Sequence, residues 1–390
     1  MSKYRAKELV RQIAKSHGHL DEAVYGEMTA AARCQVEEAL LMKDKLIGSA
    51  VITYVPSSFR PPVGCPVIST DFVVSLAKNL YSKDVRFIFE LLQNADDNDF
   101  GKASSASQDP YVAFRVYRDK IVVECNEDGF TELNLKAICN VGQSSKLGAQ
   151  GYIGEKGIGF KSVFKVASKV WIQSGPFSFC FRHRRGDSGM GMISPEWQET
   201  TEELAGPLTR MTFYLADDGD PAVRTEQRRN INDQLNDLKP QMLLFLKKLR
   251  RIEVYLHNDV GEETSSSVLS RAEASGEPNR AVLQTVKAQG GLEPGQERQY
   301  YHVTKAMASG LAPNENREYT PEEHARQAYS TAEIILAFPL TAQSAPLIQP
   351  QQLFAFLPVR RVGFNVSAPA PVILPDDDEL TIALPVPYPQ

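Results

Sequence analysis

The sequence predicts an α+β protein in which helices cover one face of a mixed, mostly antiparallel sheet. Helical periodicity and strand-like apolar runs follow each other in mixed order, and no internal repeat interrupts them. The 390 residues suffice for two or three ordinary domains with a sizeable core. The 42% of hydrophobic residues is normal for a globular protein.

The chain begins with a predicted helical region over residues 1–60. Leu9, Val10 and Ile13 form one apolar stripe at helical spacing. Residues 55–66 hold four prolines and a glycine, which indicates a loop and a domain boundary.

A central domain is predicted over residues 67–258. It begins with a helix after the capping residues Ser69, Thr70 and Asp71. The apolar runs YVAFRVY and KIVVEC predict a hairpin that turns at Arg118–Asp119. The other predicted elements are helices over 83–98, 132–140 and 222–249, a helix that continues the glycine-rich segment to Val166, and strands over 169–174, 177–183, 209–215 and 251–257.

Three segments follow this domain. Residues 259–298 are polar and low in aromatic residues, which predicts a mobile insertion. A partial second β-containing segment is predicted over 299–364, with strands at 299–304 and 331–338. Residues 365–390 form a proline-rich acidic tail.

Charge and cysteine usage restrict the class of protein. A net charge of −5 and a pI near 5.8 disfavour nucleic-acid partners and anionic membranes. Five scattered cysteines without a C-x-x-C pair disfavour a zinc site or a disulfide framework. Neither a signal peptide nor a membrane span is apparent, so we expect a cytoplasmic or nuclear protein.

The stretch KDVRFIFELLQNADDNDF combines an apolar and a polar helix face. Glu90, Asn94 and Asp97 share one helical spacing. A carboxylate in such a row can orient or deprotonate water, and an amide oxygen can complete the shell of Mg²⁺. A solvated helix face is the alternative for the triplet taken alone. The opposite, buried face is predicted to consist of Val85, Ile88, Phe89 and Leu92.

The stretch GYIGEKGIGFKSVFKVAS is rich in glycine and leads into a helical pattern. Glycines let backbone amides approach a phosphate, and a helix N-terminus adds partial positive charge. Lys156 and Lys161 can add further charge. The P-loop pattern is absent, and an ordinary turn is the alternative. The crowded glycines are Gly151, Gly154, Gly157 and Gly159.

Between these two motifs, the second hairpin strand ends in Asn126, Glu127, Asp128 and Gly129. Polar groups at a strand end can bind the edge of a base through hydrogen bonds. A polar turn that caps the next helix is the alternative.

The order of the motifs resembles that of the GHKL ATPases, which share the Bergerat fold. FELLQNADDN resembles their N-box, CNEDGF stands in place of their D-x-G-x-G turn, and IGEKGIGFKSVFKVAS resembles their glycine lid. Within this class, NEDGF, VGQSSK and FAFLPVRRVGF are similar to the sacsin and NO VEIN group. The likeness is good over residues 69–256 and loose over 330–363. It implies a Bergerat-type α/β sandwich preceded by a helical segment.

The resemblance implies a role for each residue of the polar helix row. Glu90 would be the general base that positions water, Asn94 would bind Mg²⁺, and Asp97 would line the pocket. Asn126 is the first choice for reading adenine and Asp128 is the second. An asparagine lacks the negative charge of the family's aspartate, which weakens adenine preference.

The resemblance assigns further positions around the nucleotide. Gly129 and Phe130 would shape the pocket wall, and Thr209 would support the adenine site. Ser145 and Lys146, with Ser144, would contact phosphates at the start of the lid. Lid backbone and charge would come from Gly154, Lys156, Gly157, Gly159 and Phe160.

The resulting hypothesis is a slow ATPase that binds ATP and Mg²⁺ and closes its lid to drive a chaperone-like or regulatory switch. A nucleotide-binding scaffold without turnover is the alternative, because the family's γ-phosphate arginine has no convincing counterpart and Arg360 or Arg361 qualify only by position. A histidine kinase using His17 or His19 is a weaker alternative. An unidentified protein partner or client is expected, and a homodimer stays open.

Overall fold

The computed structural model describes two compact units, which are treated separately below. The first comprises Met1–Arg271 and Gln284–Glu297, and the second comprises Ala272–Leu283 and Arg298–Gln390. The described residues are 1–16, 29, 87–139, 159–183, 194–216, 221–273, 277, 279–290, 293–310 and 331–347, and, for the backbone only, 351–355, 357–362 and 368–369.

Five α-helices and two 3-10 helices lie in the described part of the first unit. They are α1 (Lys3–Ser16), α2 (Phe87–Asp96), α3 (Gly101–Ser105), α4 (Glu132–Cys139) and α5 (Pro221–Asn236), with 3-10 helices at Gly159–Lys165 and Pro240–Leu244. Helix α1 buries Ala6, Val10 and Ala14, whereas Leu9 and Ile13 of the predicted stripe are only half-buried.

Fourteen strands lie in the described residues. They are β1 (Tyr111–Val116), β2 (Lys120–Cys125), β3 (Ala167–Ser174), β4 (Phe177–Arg182), β5 (Glu196–Trp197), β6 (Thr209–Leu215), β7 (Arg251–His257), β8 (Glu263–Glu273), β9 (Arg280–Gln289), β10 (Gly295–Ser309), β11 (Thr331–Leu340), β12 (Gln351–Ala355), β13 (Leu357–Val362) and β14 (Ala368–Pro369).

The sheet of the first unit is open and mostly antiparallel. Its strand order is β8-β7-β1-β2-β6-β3-β4-β5. β1 pairs with β7 in parallel, whereas it pairs with β2 in an antiparallel hairpin. In the second unit, β10 pairs with β11 over ten residues, and β12 lies between β13 and β14 in a small separate sheet.

The hairpin of β1 and β2 shows why the sheet forms where predicted. Val112, Phe114 and Val116 alternate along β1 and are buried, as the period of two requires. On the opposite face Glu124 bridges Arg115 and Arg210, at 2.9 and 2.7 Å. One face of the hairpin therefore belongs to the core, and the other carries an ion-pair ladder.

Several predicted elements are confirmed with the same or nearly the same bounds. These are β1, β2, β6, β7 and α4. The helix predicted over 222–249 instead ends at Asn236, and Pro240 starts a 3-10 turn because proline cannot donate the next helical hydrogen bond. The segment Gly159–Lys165 is a 3-10 helix, not the α-helix expected there.

The polar segment predicted as a mobile insertion over 259–298 differs most from the structure. It contains β8, β9 and the start of β10. Ala281, Leu283 and Thr285 alternate inward along β9 and are buried. The prediction rested on the polar composition of this segment and its few aromatic residues, so it missed the short period-two pattern.

Other predictions fall outside the described residues. These are the helices between 17 and 86, the domain boundary near 60–67, and the tail after 369. The three cysteines in the described part, Cys125, Cys139 and Cys180, are buried thiols. No helix among the described residues is long and apolar enough to cross a membrane.

A buried carboxylate joins α2 to the chain that leads into β7. Asp96 is 0% exposed. Its Oδ2 accepts a hydrogen bond from the amide of Lys247 at 2.8 Å, and its Oδ1 accepts from the amides of Lys248 and Leu249, each at 2.8 Å. Lys248 Nζ also donates to the carbonyl of Asn98 at 2.6 Å. The end of α2 is therefore fixed to a segment 150 residues further along the chain.

We expect Asp96→Asn to lower the free energy of unfolding by about 2–3 kcal/mol, because hydrogen bonds to a charged group contribute about 1.5–3 kcal/mol. The asparagine keeps one oxygen and turns an N–H₂ group toward an amide donor. Urea unfolding measures the change. Asp99→Asn is the matched control, since its exposed ion pair with Lys248 should contribute at most about 1 kcal/mol. Equal losses in the two variants would contradict this role for Asp96.

Candidate functional site

Helix α2 places the predicted polar row at the boundary between core and solvent. Glu90 and Asn94 are half-buried, one turn apart on the same side of the helix. Asp97 is 4% exposed and lies just past the helix end, where its amide donates to the carbonyl of Gln93 at 3.0 Å. On the opposite face Ile88 and Leu92 are buried as predicted, Phe89 is half-buried, and Val85 lies outside the described residues.

Glu90 has an unusual electrostatic environment for a helix-surface carboxyl. Desolvation by burial raises the pKa of Glu90. A carboxylate that has lost part of its hydration is a stronger base than one in water. The structure therefore gives Glu90 a property that a general base requires.

The 3-10 helix Gly159–Lys165 packs against α2. It holds the last of the predicted lid residues, Gly159 and Phe160, and the half-buried Phe160 ring lies 6.3 Å from that of Phe181. The structure thus brings the end of the glycine-rich segment next to α2. The remaining predicted lid positions lie outside the described residues: Ser144, Ser145, Lys146, Gly151, Gly154, Lys156 and Gly157.

Lys161 has a structural position that differs from the expected contribution to anion binding. Its side chain is 1% exposed, and Nζ donates to the carbonyl of Ile138 at 2.7 Å. The ammonium lies 4.6 Å from the centre of the Phe181 ring. Burial lowers the pKa of Lys161 to about 8. Its charge therefore stabilises the C-terminal end of α4, where a cation is favoured.

The polar turn after β2 is held by hydrogen bonds within the protein. Asn126 is buried, its Oδ1 accepts from the amide of Tyr111 at 2.8 Å, and its Nδ2 donates to the carbonyl of Asp109 at 2.9 Å. The carboxylate of Asp128 accepts from the first two amides of α3, at 3.0 and 2.7 Å. Both side chains thus shape the turn, and their predicted role in reading adenine stays a prediction.

Gly129 and Phe130 are fixed to the sheet by two hydroxyls. Gly129 has φ +93°, and a Cβ there would lie 3.3 Å from Ser174 Oγ. The amide of Phe130 donates to this same Oγ at 2.8 Å, and Ser174 Oγ shares a 2.6 Å hydrogen bond with Thr209 Oγ1. Thr209 is buried. We call Ser174 and Thr209 the hydroxyl pair.

Two residues important to this site were not predicted. Asp96 appeared only as one acid of an A-D-D run, and its partners are 151–153 residues away in sequence. Ser174 precedes Gly175–Pro176, which indicated a turn and no more. Only the fold reveals what these side chains contact.

The predicted Mg²⁺ ligand, Asn94, fits that ion by its chemistry. No group of three or more His, Cys, Asp or Glu side chains suited to a metal occurs in the described ranges. Mg²⁺ bound beside phosphates takes only one or two protein ligands and keeps several waters, so an amide oxygen suffices. The role of Asn94 stays a prediction.

Ser174→Ala should free the amide of Phe130 and loosen the turn. We expect a loss of about 1 kcal/mol in the free energy of unfolding and faster hydrogen exchange at Phe130, because a buried donor loses its acceptor. Exchange measured by NMR tests this. Ser105→Ala is the control, since its hydroxyl donates to the carbonyl of Gly101 in an exposed helical turn. Unaltered exchange at Phe130 in Ser174→Ala would argue against the contact.

Comparison with known proteins identifies relatives that match part of the chain. No family model matches the chain. It is 38% identical to Protein NO VEIN of Arabidopsis thaliana over 187 residues, which cover 45% of this chain and 7% of that protein. It is 30% identical to Chaperone protein HtpG of Chlorobium phaeobacteroides over 172 residues, which cover 37% of this chain and 26% of HtpG.

Sacsin of Homo sapiens is a third relative, 32% identical over 130 residues that cover 30% of this chain and 3% of sacsin. The chain thus spans a small part of each relative's length, from 3% to 26%. These matches show a relationship, at modest identity, to NO VEIN, sacsin and the chaperone HtpG.

Proposed function

We propose that the chain binds ATP with Mg²⁺ in a GHKL pocket of the Bergerat type, between α2 and the glycine-rich segment, and hydrolyses it slowly. One observation carries the proposal: a desolvated Glu90 lies one turn from Asn94 on a helix that packs against the end of that segment. Similarity to HtpG, a chaperone, supports the same class of function.

In this proposal Glu90 orients the attacking water and accepts its proton. Its raised pKa brings the carboxylate closer to the working pH, which favours proton transfer. Asn94 Oδ1 would hold Mg²⁺, which would neutralise charge on the phosphate oxygens. Little covalent chemistry is then required of the protein beyond positioning and charge stabilisation.

The turn after β2 would form the adenine end of the pocket. Gly129 and Phe130 provide its wall, held by the hydroxyl pair. Asn126 Oδ1 has a second lone pair beyond the bond to Tyr111, so it can still accept from an adenine amino group. Asp97 lines the pocket at the end of α2.

The glycine-rich segment would provide the phosphate end. Backbone amides of Gly154, Gly157 and Gly159, with Phe160, would approach the phosphates closely because the glycines lack side chains. Ser145, Lys146 and Lys156 would add hydroxyl and ammonium donors. Movement of this segment on nucleotide binding would drive a chaperone-like or regulatory switch toward a protein client.

A nucleotide-binding scaffold without turnover is the second candidate. It is favoured by the polar groups that are already bonded within the protein. Asn126 bonds two backbone groups, Asp128 accepts from the first amides of α3, and Lys161 donates to the carbonyl of Ile138.

Calorimetry with ADP and with a non-hydrolysable ATP analogue, with and without Mg²⁺, measures nucleotide binding. Tight binding without phosphate release favours the scaffold, and absence of any binding contradicts both candidates.

We expect Glu90→Gln to slow phosphate release by about a hundredfold or more, the range that general base catalysis contributes, while nucleotide affinity is kept. Phosphate release and calorimetry on the same sample separate the two effects. Glu132→Gln is the matched control, because the side chain of Glu132 on α4 is 39% exposed and pairs with Lys136 in its own helix. Unchanged release in Glu90→Gln would remove Glu90 from the mechanism.

The raised pKa of Glu90 predicts opposite pH trends for activity and stability. Hydrolysis needs the carboxylate, so the rate should fall with acid through a pKa above the ordinary glutamate value. The folded-state pKa of Glu90 lies above its unfolded-state pKa, so between these two pH values the native state binds more protons than the unfolded state. The contribution of Glu90 to the free energy of unfolding is therefore present at low pH and is lost as the pH rises through the folded-state pKa. Thermal unfolding against pH should show that trend, and Glu90→Gln should lack it. A hydrolysis rate that falls through the ordinary pKa of glutamate would contradict the role of Glu90 as the general base.

A further inference from the structure

A second pocket of about 310 Å³ lies where β3 ends and β4 begins. Its floor is formed by Gln173 and Ser178, which face each other across the two strands. Its walls are the turn 175–177 and loop residues between 200 and 208. We call it the Gln173 pocket.

Gln173 is the feature of this pocket that indicates a ligand. Its side chain is 4% exposed, and no acceptor within the described part of the chain lies within hydrogen-bond distance of its buried Nε2. Leaving a buried N–H donor unpaired is costly, and native proteins rarely do so. This unpaired donor is the group of the lining to which a ligand oxygen can bond.

The charges around the pocket favour an anionic acceptor. Lys3 Nζ donates to the carbonyl of Thr200 at 2.7 Å, and Lys102 Nζ donates to that of Asp128 at 2.6 Å. Each ammonium has three donors, so both retain donors for a ligand.

Three carboxylates oppose the two ammonium groups. That of Asp128 is bonded to the amides of Gly101 and Lys102, and that of Glu202 pairs with Arg210 at 2.5 Å. Glu203, Lys3 and Lys102 are all exposed, so water screens these three charges alike. Two of the three carboxylates are thus bonded within the protein, whereas both ammonium groups retain donors for a ligand.

The rest of the lining suits a small apolar side chain. Pro176, Pro207 and Leu208 provide apolar walls. The pocket volume of about 310 Å³ lies at the small end of the range for ligand pockets, which is about 300–1,000 Å³. A dipeptide has this size. We propose that the Gln173 pocket binds the carboxylate-bearing end of a short peptide, with its carboxylate on Gln173 Nε2 and the two lysines.

The position of the pocket relates it to the turn after β2. Asp128 and Gly129 line it, and Ser174, the residue after Gln173, bonds the amide of Phe130. A peptide in this pocket would contact the back of that turn. The proposal does not depend on nucleotide binding, because the groups proposed to bind the peptide carboxylate, namely Gln173, Lys3 and Lys102, have no role in the proposed nucleotide site.

A tryptophan reports on the pocket. Trp171 Nε1 donates to Ser178 Oγ on the floor at 3.1 Å, and the chain holds two tryptophans. In the Trp197→Phe background, Trp171 fluorescence is titrated with acetyl-Pro-Leu as the acid, with its amide, and with acetate. A longer peptide with the same end distinguishes a chain terminus from a free dipeptide as the natural source. We expect the acid to give a saturable change in Trp171 fluorescence. The amide should bind about tenfold more weakly, which equals about 1.4 kcal/mol, and acetate should give no saturation.

Variants locate the binding. Gln173→Met and Lys3→Gln should each weaken binding of the acid by about tenfold. Because Lys3 is exposed, Lys3→Gln should fold normally. It can therefore still test the proposal if Gln173→Met fails to fold. Lys7→Gln is the matched control, because Lys7 lies on the same helix, pairs with Glu199 and does not line the pocket. Glu90→Gln should bind the peptide normally, which separates this test from that of nucleotide binding.

Three results would overturn the proposal: absence of a saturable change with the acid, equal affinities for acid and amide, or equal affinities in Lys3→Gln and Lys7→Gln. Each would mean that the Nε2 donor of Gln173 is satisfied by water and that the pocket has no peptide specificity.

Discussion

The three amide hydrogen bonds to Asp96 are the constraint on which the candidate site depends. A carboxylate at a helix C-terminus is disfavoured by the helix dipole, and its burial adds a desolvation cost. The amides of residues 247–249 offset both, since a carboxylate that accepts several N–H groups is strongly stabilised. These residues lead directly into β7, which is the parallel neighbour of β1. The position of α2, and with it Glu90 and Asn94, is thus fixed relative to the centre of the sheet.

A second constraint holds the turn after β2. In the sheet register Thr209 lies opposite both Cys125 at the end of β2 and Ser174 at the end of β3. The polar turn leaves the sheet at this edge, and the hydroxyl pair holds it through the amide of Phe130. A methyl group at Gly129 would crowd Ser174 Oγ, and φ +93° already disfavours any side chain there. The wall of the proposed pocket is therefore defined by backbone contact and not by side-chain charge.

The sequence predicted those features that arise from neighbouring residues. The hairpin of β1 and β2 and the bounds of β6 and β7 follow from alternation and turn residues, which are local. The polar row of α2 was likewise visible as a helical spacing. The bonds of Asp96 and the contact of Ser174 with Phe130 were not visible, because their partners lie far away in sequence. β8 and β9 were missed because a polar composition concealed strands whose inward residues are few and not aromatic.

Lys161 joins α4 to the 3-10 helix that packs against α2. Burial of its ammonium lowers the pKa to about 8, because the charged form loses hydration. That charge joins the carbonyl of Ile138, just before the glycine-rich segment, to the 3-10 helix just after it. Residues 138 and 161 are thereby held together. Since the Lys161 ammonium is bonded to Ile138, positive charge for phosphates in the proposed site would have to come from other groups, such as Lys146, Lys156 and glycine amides.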